Sequence, residues 1–224
     1  MSESQAIPTT NSFTMLRAMV GIGILCGILI VFTYEGTLPR IERLRAEALE
    51  QAIFNVVPGI ESTKAFAWED GQFSEAGEGN TQIVYAGYDT NGEFKGVAIE
   101  ASGQGYADII RILYGYDPAT QKVVGFYVLE SKETPGLGDK IEKDQVFLEN
   151  FQALDVTLTK TSEKLVYQVV LVKKGTKSEP WQVDGITGAT ISSRAIGNII
   201  GESTTIWVPR IYQHQQYFQN EVNE

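Results

Sequence analysis

The segment Asp184-Gly185-Ile186-Thr187-Gly188-Ala189-Thr190-Ile191-Ser192-Ser193-Arg194 concentrates the residue types best suited to hold a ligand. It reads as a turn of small residues followed by hydroxyls, opening onto an apolar helical repeat at Ile191, Ala195 and Ile199. The first amides of such a helix lack intrahelical acceptors and lie at the positive end of its dipole, so the segment suits an anion. Taken alone it equally fits a plain helix start, with Thr190 or Ser192 as the capping hydroxyl. Upstream, Glu133-Thr134-Pro135-Gly136-Leu137-Gly138 forms a second candidate. Proline and the glycines there make a tight loop with accessible amides, Leu137 offers an apolar contact and Thr134 a polar one. By itself this too is only a turn. The single Cys26 and single His214 give poor support to zinc sites, disulfide frameworks, cysteine nucleophiles and histidine triads. His214 reads as a surface residue of a polar tail, Trp181 as a core residue, and the scattered carboxylates form no evident acid/base pair. The chemistry is therefore expected from an imported group.

Asp184, two residues, then Thr187-Gly188-Ala189-Thr190 resembles the flavinylation motif of the FMN-binding domain family. That family includes the G subunit of Rnf-type ferredoxin:NAD oxidoreductases and the C subunit of sodium-translocating NADH:quinone reductases. The resemblance implies FMN joined through its phosphate to the last threonine, Thr190, with Asp184, Thr187, Gly188 and Ala189 read by a flavin transferase. The loop Glu133, Thr134, Leu137 and Gly138 is similar to the family's Glu-Thr-Pro-Gly-Leu-Gly loop, which lies against the isoalloxazine. Gly103-Gln104-Gly105-Tyr106 is similar to its glycine-rich turn, and Lys173 and Lys174 stand where a cation would sit near ring or phosphate. Ser131 departs from the pattern, occupying a position that is His in many members, which puts any proton-handling role there in doubt. The wording around Thr190 and the chain length favour the Rnf G subunit. Implied partners are the other membrane and iron-sulfur or flavin subunits of such a complex. Alternative readings are the quinone-reductase C subunit, a membrane-tethered binding or assembly module without flavin, and an enzyme using dissociable FMN.

These residues need elements to hold them. The 224 residues are 43% hydrophobic and 10% aromatic, enough for a packed core, and the net charge of -10 disfavours nucleic acid. No charge falls between Arg17 and Glu35, and Phe13 to Tyr34 is long enough for a membrane helix with aromatic ends. A cleavable signal peptide is the competing reading. Gly23 and Gly27 lie four apart and would admit a neighbouring helix, although glycine is common in membrane helices, and Cys26 reads as a small apolar residue. Arg40, Arg43 and Arg45 against Arg17 favour a cytoplasmic domain by charge, whereas the resemblance implies a domain on the outer face of the cytoplasmic membrane, and that placement is the expected one.

The expected division is an N-terminal tail at 1–12, a transmembrane helix at 13–34, a linker helix at 35–60 ending at Pro58-Gly59, an FMN-binding domain at 61–208 and a polar tail at 209–224 with Tyr212, Tyr217 and Phe218 as docking residues. Residues 61–80 read as a loop with one short strand near Lys64 to Trp68. Strands are expected at Gln82 to Tyr88, Phe94 to Glu100, Ala107 to Tyr114, Val123 to Glu130, Val156 to Thr159 and Leu165 to Lys173. A helix is expected over Asp139 to Asn150 and another from Ile191 toward Trp207, interrupted at Pro209. Hairpin-grouped strands with helices outside them give an α+β domain behind a single N-terminal membrane helix.

Overall fold

The structure, a computed structural model, describes residues 12–77 and 79–219. The chain divides into two units, Met1–Glu47 and Ala48–Glu224. The first is the bulk of helix α1 (Ser12–Val56), whose most apolar stretch has a mean hydropathy of 2.4 and is long enough to cross a membrane. Its hydroxyls bond within the helix, Thr33 Oγ1 donating to Leu29 O at 2.7 Å and Thr37 Oγ1 to Thr33 O at 2.9 Å. Such bonds satisfy donors that hydrocarbon could not. Helical geometry continues through Pro39.

The second unit is built on a seven-stranded antiparallel sheet in the order β2-β1-β3-β4-β5-β6-β7. Its strands are β1 (Ser62–Glu69), β2 (Gln72–Glu75), β3 (Ile83–Tyr88), β4 (Phe94–Gln104), β5 (Ile109–Asp117), β6 (Lys122–Glu130) and β7 (Leu154–Asp155). A parallel pair, β8 (Val170–Val172) and β9 (Gln182–Asp184), stands apart and leads into α4 (Thr190–Gln213). Along β5 the side chains alternate as a strand of period two requires. Ile110, Ile112, Tyr114 and Tyr116 join the main core with Ile196, Ile199 and Ile200 of α4, while Leu113 turns to the other face. There it meets Ala52, Ile53, Val56, Val57 and Ile60. Gly115 of β5 lies opposite Gly125 of β6, and a Cβ on either would fall on the Val56 carbonyl oxygen.

Several expectations change. Residues 61–80 hold the β1–β2 hairpin rather than a loop with one strand. Of the strands expected at Val156 to Thr159 and Leu165 to Lys173, only a Leu158–Leu165 bridge and the short β8 form. The neighbouring amides find scattered partners instead, Asp155 N on Pro180 O at 3.1 Å and Val156 N on Gln121 O at 3.1 Å. The expected helix over Asp139 to Asn150 breaks into α2 (Lys140–Lys143), α3 (Gln145–Leu148) and a 3-10 turn at Glu149–Phe151. Asp144 causes the break, its extended ψ of 105° letting its side chain cap α3 through Phe147 N.

The tail departs from expectation at Pro209 and His214, while Phe218, Tyr212 and Tyr217 dock on the core as expected. α4 runs through Pro209, and α5 (Gln215–Gln219) follows. Pro209, Ile211 and Phe218 are buried, and the Phe218 ring packs 5.1 Å from Phe66 and 4.9 Å from Phe73. Such packing offsets a helix-interior proline cost of about 3 kcal/mol. His214 is half-buried rather than on the surface, its ring 5.1 Å from Trp68 and its Nδ1 2.8 Å from Arg210 O.

Burial pushes the phenols of Tyr114 and Tyr116 well above the usual tyrosine range. A raised acid pKa means that the folded state favours the neutral phenol. That stability is complete below the unfolded value of about 10 and is lost as the pH climbs past it. Chemical denaturation should therefore show falling stability above about pH 10, with a shallower fall in Tyr116→Phe; an unchanged slope would contradict this account.

Candidate functional site

The loop after β6, the turn between β4 and β5, and the entry to α4 converge on the Glu133 carboxylate. The side chain is buried, with a relative exposure of 6%. Its Oε1 accepts from Tyr106 N at 2.8 Å and from Ala107 N at 3.0 Å, and its Oε2 accepts a short bond from Ser192 Oγ. A Cβ at Gly105 would stand 2.5 Å from Oε1 and one at Gly138 2.6 Å from Oε2, so both segments close on the carboxylate only as glycine. The 134–138 loop is itself a tight turn, with Leu137 N and Gly138 N both donating to Thr134 O, at 3.1 and 2.9 Å.

At the start of α4, Gly188 takes φ +84°, a conformation that side chains other than hydrogen disfavour. Ala189 is the N-cap residue, and Thr190 is the first helical residue. This overturns the plain capping reading, because Ser192 is committed to Glu133 and neither it nor Thr190 caps the helix. Ser193 makes the local ties instead: its hydroxyl accepts from Ile186 N at 3.4 Å and donates to Thr190 O at 3.3 Å. Thr190 is exposed, and its hydroxyl has no hydrogen-bond partner among the described residues.

Thr190 forms part of the wall of two cavities. One, of about 390 Å³, is lined by Tyr106, Glu133, Thr134, Leu137, Gly138 and residues 188–192. Tyr106, Leu137 and Ile191 remain 65%, 54% and 55% exposed and give it apolar walls. The other, of about 440 Å³, is lined by residues 171–174 and 185–187 together with Ser193 and Arg194. It gathers Lys173, Lys174 and Arg194 beside the helix start. An apolar planar group on one side of Thr190 and an anion on the other would both meet suitable chemistry.

The sequence candidates thus separate into two groups. Thr190, Thr187, Gly188, Ala189, Glu133, Thr134, Leu137, Gly138 and Lys174 line one or both cavities. Asp184 lines neither: both its carboxylate oxygens accept from Gly175 N, at 2.7 and 2.8 Å, and its own N–H donates to Asn150 Oδ1 at 3.0 Å. It holds the turn that carries Lys173 and Lys174. Lys174 Nζ is 4.0 Å from Asp144 Oδ2, a weak pairing at an exposed side chain. Lys177, which the sequence reading passed over, donates to Asn150 Oδ1 at 3.1 Å, and burial lowers its pKa. Ser192, expected only as a capping hydroxyl, and Ile191, expected only in the apolar repeat of the helix, line the apolar cavity, and Arg194 lines the cationic one. A further cavity, about 480 Å³ between Gln82, Glu100 and Arg210, contains none of these residues. Among the described residues no group of three or more His, Cys, Asp or Glu is placed to hold a metal.

The FMN-binding domain family matches this chain over residues 105–204, a stretch containing Tyr106, Glu133, the 134–138 loop and the start of α4. Over 198 residues the chain is 30% identical to the G subunit of the ion-translocating oxidoreductase complex of Methanosarcina acetivorans, covering 88% of this chain and 92% of that one. The corresponding G subunit of Haemophilus influenzae is 32% identical over 193 residues, covering 83% and 84%. Among solved structures the fold matches NqrC of Shewanella oneidensis with a TM-score of 0.54 at 18% identity, covering 80% of this chain and 97% of that one. It matches the C subunit of the Na(+)-translocating NADH-quinone reductase from Parabacteroides distasonis with a TM-score of 0.60 at 19% identity, covering 77% and 96%. At these identities the two structures speak to the fold.

Proposed function

This chain belongs to the family of G subunits of ion-translocating oxidoreductase complexes and carries an FMN-binding domain, and on that basis we propose that it relays electrons through FMN attached covalently to Thr190. The observation that carries the proposal is the Thr190 hydroxyl, exposed and without a hydrogen bond to the described residues, where the apolar and the cationic cavity meet. Its ester phosphate would sit among the first amides of α4, Thr187 and Gly188, with Lys174 supplying positive charge. The ring would lie against Thr134 and Leu137 of the loop held by Glu133 and Gly138. FMN supplies one- and two-electron chemistry that the side chains here do not. The protein's part is to orient it, cover one side and set the local charge.

Attachment calls for a flavin transferase reading Asp184, Thr187, Gly188, Ala189 and Thr190, and the relay calls for other membrane and iron-sulfur or flavin subunits. Residues 13–34 would span the cytoplasmic membrane, 35–60 lead out of it, and the domain from 61 onward face outward. With no Asp, Glu, His or Lys between Arg17 and Glu35, this helix offers no ion path of its own, so coupling falls to the partners. Protein from native membranes, denatured and run on a gel, should keep flavin fluorescence in its band and on the peptide containing Thr190. Fluorescence that leaves on denaturation would turn the reading to dissociable FMN.

Two further outcomes are expected. Leu137→Ala should alter the visible spectrum of the bound flavin without blocking attachment, since Leu137 is 54% exposed and stands outside the core; a wild-type spectrum would reduce the loop to a turn. Protease added to intact spheroplasts should digest the domain, whereas protection there and digestion only in inverted vesicles would reverse the orientation.

A further inference from the structure

From the Glu133 geometry we propose that this residue is a positioning residue, tying the Tyr106–Ala107 turn to the first turn of α4 and thereby fixing the walls between which the flavin ring lies. The inference rests on the proposed function for the ring, but the tie itself is a property of the chain. A buried carboxylate is costly unless its charge is met by donors. Here Tyr106 N, Ala107 N and Ser192 Oγ meet it, and among the described residues no cation does. Those donors come from segments 27, 26 and 59 residues away along the chain, so the carboxylate joins the turn before β5 to the start of α4. With both oxygens engaged, Glu133 acts on a bound ring through what it holds.

One thing it holds is Tyr106, whose side chain is 65% exposed at the wall of the cavity that Thr190 also lines. The turn has its own closures, Gly105 N on Asp108 O at 2.9 Å and Lys132 Nζ on Asp108 Oδ2 at 2.6 Å. Neither reaches α4. The Glu133–Ser192 link does span from the turn to the helix that carries Thr190, and the glycines at 105 and 138 let both segments close tightly around it.

The test uses the full chain in detergent. In flavin-free protein, expressed without a flavin transferase, Glu133→Ala should speed amide hydrogen exchange at Tyr106 and Ala107 by about tenfold or more. Glu133→Gln, whose carbonyl still accepts both amides, should restore most of the protection. Ser192→Ala should leave those two amides protected. In flavin-loaded protein, Glu133→Ala and Ser192→Ala should each raise iodide quenching of the flavin, while Glu133→Gln stays near wild type. Unchanged exchange at Tyr106 and Ala107 in Glu133→Ala, or equal loss in Glu133→Gln and Glu133→Ala, would overturn the proposal. If Glu133→Ala does not fold, unchanged quenching in Ser192→Ala overturns it. Wild-type protein bearing no flavin at Thr190 would defeat the proposed function alone, and the exchange measurements would still decide the tie.

Discussion

Thr190→Ala should carry no covalent flavin and should melt within about 0.5 kcal/mol of the wild type. Loss is complete because an ester needs the hydroxyl, and no neighbouring group can take its place in the same geometry. Thr187 is exposed and lines only the cationic cavity. Ser192 is buried with its oxygen given to Glu133, and Ser193 spends its hydroxyl on Ile186 and Thr190. The fold is spared because Ala189, not Thr190, caps α4, and alanine suits a first helical position. Thr190→Ser, which keeps the hydroxyl, should retain attachment. In-gel fluorescence and thermal melting read both halves of the prediction; covalent flavin persisting in Thr190→Ala would remove the assignment.

Gly115→Ala should destabilise the domain by about 3 kcal/mol, the upper part of the range for overpacking. The added methyl would meet backbone, the Val56 carbonyl, rather than the end of a side chain that could swing away, and Val57 stands 3.2 Å off on the same side. Relief requires lifting residues 53–60 from the sheet, which would expose Ile53, Val56 and Val57, all nearly fully buried. Gly125→Ala meets the same carbonyl and should behave alike, whereas Gly36→Ala, with nothing within 4 Å of its Cβ, should leave domain melting unchanged. Denaturant midpoints of the three variants decide it. Equal stability at positions 36 and 115 would show that the chain beyond Val56 is free to shift.

What the sequence disclosed was local. The uncharged run before Glu35, the strands on either side of Asn91-Gly92 and the small-residue entry to α4 carry their signals within a dozen neighbours, and the structure has each of them. Partnerships across the chain were hidden. Glu133 stood out as part of a loop motif, yet nothing near it announces Ser192, 59 residues on, as a donor to its carboxylate. Asp184 stood out as part of the motif implied to be read by a flavin transferase, yet nothing beside it announces that its carboxylate accepts from Gly175 N, nine residues back. His214 sits among glutamines and reads as a surface residue because Trp68 and Phe73, which pack against its ring, lie far upstream. β2 has Phe73 as its only buried residue and so shows no alternation to find.

The strand order bears on how the protein comes into being. Apart from the exchanged places of β1 and β2, each strand of the large sheet lies beside its predecessor in the chain. Near-neighbour pairings close short loops and form early. α4, in contrast, follows every strand, and its ties reach back 59 residues to Glu133 and 89 residues to Tyr114. During synthesis from the N-terminus the sheet can be complete while Thr190 has yet to leave the ribosome. The cavity beside Thr190, walled by Tyr106, the Glu133 loop and the first turn of α4, is therefore the last part of the domain to take shape, complete only once α4 has docked on the finished sheet.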